Sequence, residues 1–155
     1  MRNMKELDFD LFLARLKAQT QDRAFELLAE HSAALCGTEV SVLRKVFARR
    51  LSERTFGMGD GISIFDVKSE KIKSPVLAML TFDQDIDFNA LDNKPVNVMA
   101  AVISPRSSGP FHLQRLASIS RVLRAQELCD ALRDARDEDA MRVLFMPSQD
   151  WMIAA

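Results

Sequence analysis

The chain has 155 residues, 48% of them apolar and 28% charged. These are the proportions of one globular domain, and they exclude a disordered chain. With 21 Lys and Arg against 22 Asp and Glu, the formal net charge is -1, which argues against a whole-surface grip on nucleic acid.

In chain order, Phe9 to Leu16 reads as a short strand from the alternation of Phe12, Ala14 and Leu16. Thr20 offers an N-cap to a helix over Gln21 to Cys36, with Ala24, Phe25, Leu28, Ala29 and Leu35 on its apolar stripe and Gly37 as its stop. A second helix runs from about Thr38 to Arg54, with Val42, Leu43, Val46, Phe47 and Leu51 inside. Phe56 to Gly61 is a glycine-punctuated turn, and Gly61 to Phe65 a short strand. The polar stretch Asp66 to Ser74 reads as a hairpin or loop before a longer strand, Val76 to Phe82. Asp83 to Lys94 is acidic and turn-rich, and Pro95 to Ile103 is a strand buried by composition. Three helices follow, over His112–Leu123, Gln126–Ala135 and Asp137–Phe145. The order β-αα-βββ-ααα predicts an α/β fold, a three-layer α/β/α sandwich around a mixed sheet. One domain is expected over residues 1–147, with a tail over 148–155 that carries the only tryptophan, Trp151.

Several kinds of chemistry are absent from the pattern. The two cysteines and two histidines have no metal-ligand spacing, and there is no phosphate-binding P-loop or GxSxG elbow, so no metal and no cofactor are expected. Cys36 and Cys129 read as buried thiols of a reduced, cytoplasmic protein. No apolar run approaches the roughly eighteen residues of a membrane span, so no membrane insertion is expected. His31, near the first helix's apolar stripe, reads as a partly buried structural histidine. Arg44, Lys45, Arg49, Arg50 and Arg54 make the second helix basic, either as a solvated face or as a contact for an acidic partner. Asp83, Asp85, Asp87 and Asp92 lack a calcium-loop pattern and read as solvated turn residues.

The segment from Gly57 to Asp66, G-M-G-D-G-I-S-I-F-D, resembles the signature S-T-G-x-G-N-G-I-A-I-P-H. That signature belongs to the enzyme IIA domains of the phosphoenolpyruvate sugar phosphotransferase system, fructose/mannitol type, and above all to their nitrogen-regulatory members. Asp87-Phe88, Asn89 to Pro95, Phe111-His112-Leu113 and Leu116-Ala117 resemble further family stretches, so the likeness extends from about Leu7 to Phe145. The resemblance implies protein partners such as a histidine phosphocarrier protein, sensor kinases and transporters. It also implies a site built on a phosphoacceptor histidine, with a second histidine and an arginine donating to the phosphoryl oxygens.

Here the family's Pro-His falls on Phe65-Asp66, its Ser-Thr on Thr55-Phe56, and its Asn on Asp60, while Arg50 and His112 remain. The donors are therefore expected without the acceptor imidazole. Asp66 then has two readings, a fixed negative charge or an acceptor in its own right; His112 as acceptor is a third. A two-carboxylate metal site with Asp60 is not expected, because an extended strand would separate the pair by roughly 20 Å. Phe56 and Phe65, with Met58, would either form an apolar binding rim at the site or pack into the core. The expected function is regulation by protein–protein contact. An active phosphocarrier, or an adaptor docking through the Trp151 tail, are the alternatives.

Overall fold

The computed structural model describes residues 7–146. The tail expected over 148–155, with Trp151, lies outside the described residues. Five strands and five helices follow in order: β1 (Leu11–Leu16), α1 (Gln21–Cys36), α2 (Val40–Leu51), β2 (Gly57–Gly59), β3 (Ile62–Ser69), β4 (Val76–Ile86), β5 (Val96–Pro105), α3 (Pro110–Val122), α4 (Gln126–Asp134) and α5 (Glu138–Val143). One mixed sheet has the strand order β1-β4-β5-β3-β2. β1 runs parallel to β4 and β3 parallel to β5, while the β4–β5 and β2–β3 pairs are antiparallel.

The central strands are apolar on both faces because both faces are covered. On β4, Val76, Ala78 and Leu80 join the core under α1 and α2, with Phe25, Leu28, Leu43 and Phe47. Leu77 and Met79 point the other way, into a second core with Ile119, Val122, Leu128, Leu132 and Met141 from α3, α4 and α5. This is the three-layer sandwich expected from the sequence. The caps act as their residues predict. The Thr20 hydroxyl accepts from the Arg23 amide at 3.1 Å, and Gly37 closes α1 at φ 73°.

Four local expectations are corrected. The glycine-rich turn contains a short strand, β2, and Gly57 is required there because an added Cβ would lie 2.6 Å from the Ala90 Cβ. The polar stretch after Phe65 is not a hairpin. β3 continues to Ser69, held in parallel register against β5 up to the Ser69–Pro105 pair. Its polar residues misled because they alternate with buried Phe65 and Val67 on the part of β3 that β2 does not cover. His31 is exposed rather than partly buried, and Leu35 is 44% exposed. Small residues, Ala29, Ala33 and Cys36, occupy the buried face of α1 where it meets α2 and the sheet.

Candidate functional site

β3 carries Asp66 between Phe65 and Val67, which both enter the core under α1 and α2. The strand's period of two therefore turns Asp66 to the opposite face, towards α3. Pro110 starts α3 with a fixed φ and no amide hydrogen to satisfy, and two residues later comes His112. The His112 Nε2 lies 3.0 Å from the Asp66 Oδ2, and its Nδ1 lies 2.8 Å from the Ser104 Oγ. Ser104 belongs to β5 and sits in register with Lys68, two positions beyond Val102, the partner of Asp66. Adjacent strands thus present Asp66 and Ser104 on one face, with the imidazole between them.

Arg50 closes the other side. It lies in the last turn of α2, and its Nε donates to the Asp66 carbonyl at 2.8 Å while its Nη2 donates to the Asp66 Oδ1 at 3.2 Å. Its guanidinium also lies 5.2 Å from the centre of the Phe56 ring, a cation–π contact shared by Arg54 at the same distance. The Glu53 carboxylate stands 3.7 Å from the Arg50 Nη1.

Both oxygens of the Asp66 carboxylate are thus engaged, one by His112 and one by Arg50. The hydrogen bond from His112 holds the carboxyl below its ordinary value, and the Arg50 charge adds to the effect against the cost of burial. His112 is 1% exposed, with a partner at each ring nitrogen. When the neutral ring donates from Nε2 to Asp66, Nδ1 accepts from the Ser104 hydroxyl; a protonated ring would donate at both positions. In either state no lone pair of the ring faces solvent.

The residues singled out in the sequence divide accordingly. Asp66, His112 and Arg50 come together. Phe56 and Phe65 do not form a docking rim. They are 1% and 0% exposed and belong to an aromatic cluster with Phe25 and Phe47, in which Phe65 meets Phe25 at 4.7 Å, Phe56 at 4.9 Å and Phe47 at 5.4 Å between ring centres. Met58 is 55% exposed on β2 but lines a different cleft, with Ile62, Ile64 and Arg133. Ser104 is the member of the site that the sequence did not disclose. Its one local signal is a lone hydroxyl ending an apolar strand, eight residues before His112.

Asp83, Asp85, Asp87 and Asp92 are exposed, and among the described residues no group of His, Cys, Asp and Glu is arranged to hold a metal ion. Asp92 instead accepts the amides of Asp60 and Lys94, which holds its carboxyl low. Cys36 and Cys129 are free and buried; burial pushes the Cys36 thiol up to about 12.

The model of the phosphoenolpyruvate-dependent sugar phosphotransferase system family, EIIA 2, matches residues 7–146. The chain belongs to this family. Its EIIA 2 domain is 31% identical over 139 residues to a nitrogen regulatory protein of Bradyrhizobium diazoefficiens, a match covering 89% of this chain and 91% of that one. Among solved structures, the nitrogen regulatory protein IIA-Ntr from Neisseria meningitidis aligns with a TM-score of 0.78 at 18% identity, covering 88% of this chain and 92% of that one. An Escherichia coli complex of enzyme IIAMTL with phosphorylated enzyme IIBMTL aligns with a TM-score of 0.72 at 14% identity, covering 88% of this chain and 93% of that one. The family resemblance read from the sequence, including its nitrogen-regulatory side, is borne out. Among the described residues of this EIIA 2 domain, no helix is long and apolar enough to cross a membrane.

Proposed function

We propose that this EIIA 2 domain is a nitrogen-regulatory-type signalling protein that acts by protein–protein contact, with Asp66 as a fixed negative charge at the phosphoacceptor position. The observation that carries this reading is the carboxylate of Asp66 clamped between Arg50 and His112. Phosphoryl transfer to a side chain needs an accessible lone pair on the acceptor and free donors for the phosphoryl oxygens. Here the donors already hold a carboxylate, and neither ring nitrogen of His112 is open. A carboxylate carries less charge and fewer oxygens than a phosphoryl group, so the mimicry is partial and permanent.

The partners that suit this reading are proteins: a histidine phosphocarrier protein, a sensor kinase or a transporter component. The structural neighbour enzyme IIAMTL, seen in complex with phosphorylated enzyme IIBMTL, is in keeping with a protein partner. Two free, buried thiols fit a reducing compartment, and we place the protein in the cytoplasm.

The test is phosphoryl uptake. The chain is incubated with phosphoenolpyruvate, enzyme I and a histidine phosphocarrier protein, and its intact mass is measured under neutral, cold conditions that preserve acyl phosphates. No mass gain is expected. A gain of one phosphoryl group that disappears in Asp66→Ala or His112→Ala would overturn the fixed-charge reading in favour of an active phosphocarrier.

A further inference from the structure

Beside the Asp66 site a cleft of about 770 Å³ runs between α2 and the edge of β3. Its walls carry six cations against three carboxylates, although the whole chain is nearly balanced. Arg50 is paired with Asp66 and Glu53. The other five cations, Lys45, Arg49, Lys68, Lys71 and Arg106, are exposed and form no ion pair among the described residues. They come from three separate elements: α2, the end of β3 with the turn after it, and the residues following β5. Convergence of unpaired charge from several elements raises the local potential well above that of one solvated helix face.

Two further features narrow the occupant. On α2, Val42 and Val46 lie on the same helical stripe as Lys45 and Arg49, so the cationic wall has a half-buried apolar floor. β2 pairs only with Ile62 and Ser63, so from Ile64 to Ser69 the outer edge of β3 has no strand partner among the described residues. Arg50 already donates to the Asp66 carbonyl on that side, and among the described residues no strand covers the rest of that edge against an extended chain.

We propose that this cleft takes an extended, acid-rich segment of a partner protein, its carboxylates meeting the five unpaired cations and its backbone lying along the open edge of β3. The inference rests on the reading of the domain as a protein-contact regulator and names the chemistry of the contact. A nucleic acid fits less well. Among the described residues no aromatic ring lines the cleft for bases to stack on, and a phosphodiester backbone has no donor for the carbonyls of a strand edge, whereas a peptide backbone has both donors and acceptors. A segment that alternates acidic and apolar residues satisfies both the cations and the valine floor, which is the usual division of labour when a strand is added to a sheet edge.

The experiment uses the full chain and a fluorescein-labelled peptide of alternating Glu and Val, about ten residues or ~33 Å when extended. Anisotropy is followed from about 50 to about 300 mM NaCl, across which the screening length falls from ~14 to ~6 Å. Saturable binding that weakens with salt is expected, with a Lys–Val peptide of the same length inert. Lys45→Ala and Lys68→Ala should each weaken binding about 2- to 5-fold, the usual range for one exposed ion pair. The combined Lys45→Ala/Lys68→Ala/Arg106→Ala variant should lose binding while keeping its melting temperature, and Lys17→Ala, outside the cleft, should bind as the wild type does. The proposal is overturned if the Glu–Val peptide does not bind, if the triple variant binds it equally well, or if an oligothymidylate of similar length binds more tightly. Phosphoryl uptake with peptide binding intact would remove the fixed-charge reading alone. Failed peptide binding without phosphoryl uptake would remove this inference alone.

Discussion

Replacing Asp66 by Asn keeps the shape of the side chain and removes its charge. The carboxylate now accepts from the Arg50 Nη2 and from His112 at separate oxygens. An amide has one oxygen for the two donors and turns its NH2 group towards the other, so one favourable contact becomes donor against donor. Hydrogen bonds to charged groups are worth about 1.5–3 kcal/mol each when well buried. Here the Asp66 and Arg50 side chains are 18% and 24% exposed, which moves the sum towards the lower end. The Arg50 bond to the Asp66 carbonyl survives the substitution. We expect a loss of about 2–3 kcal/mol, or a melting temperature lower by about 4–12 °C for a domain of this size.

The pH dependence adds a second readout. Because the folded carboxyl sits below its ordinary value, its contribution is fully present above the ordinary carboxylate range and is lost as pH falls through the depressed one. The gap between wild type and Asp66→Asn, measured by urea unfolding, should be constant near neutrality and should narrow as the medium becomes more acid than about pH 4. A gap below ~0.5 kcal/mol at neutral pH, or one that does not narrow in acid, would refute the clamp as a stabilising unit.

Three further outcomes follow from the same contacts. Ser104→Ala leaves the His112 Nδ1 without its buried partner and should cost about 1–2 kcal/mol in urea unfolding, whereas a hydroxyl with no role would cost less than ~0.5. Phe65→Ala should destabilise by about 3–5 kcal/mol because its ring is fully buried between those of Phe25, Phe47 and Phe56; a nearly unchanged melting curve would return Phe65 to the surface. Cys36 and Cys129 should resist iodoacetamide at mildly alkaline pH in the folded chain and react once it is unfolded, as seen by mass. Rapid native labelling of either would contradict the burial that raises both thiols.

The architecture was legible because its signals are local. Apolar periodicity, the Thr20 and Gly37 caps and the proline-flanked strands each specify an element within one stretch of chain. Asp66, Arg50 and His112 were legible through a motif, which carries spatial information that periodicity lacks. Ser104 was not legible, because its role depends on the register of β3 against β5, and no local pattern encodes parallel register. Phe65 illustrates the reverse case. Its neighbour Asp66 faces α3, so strand alternation alone sends Phe65 into the opposite core, and that inference was available in the sequence. Phe56 was harder, since the ring finds its partners through Phe65 of β3 and the guanidinium groups of Arg50 and Arg54.

A phosphoryl group and a carboxylate make similar demands of a site: hydrogen-bond donors on several sides, nearby positive charge and partial exclusion of water. Arg50 and His112 meet those demands for Asp66, and Ser104 and Phe56 fix the donors in place. A reversible site needs donors that wait for their anion, and such donors carry a cost until it arrives. On the proposed reading that cost is gone, because the anion is part of the chain. The gain in stability is then tied to the loss of switching: a variant that restores an imidazole, Asp66→His, would leave Arg50 facing a neutral or cationic ring, and should be less stable than the wild type until a phosphoryl group is added.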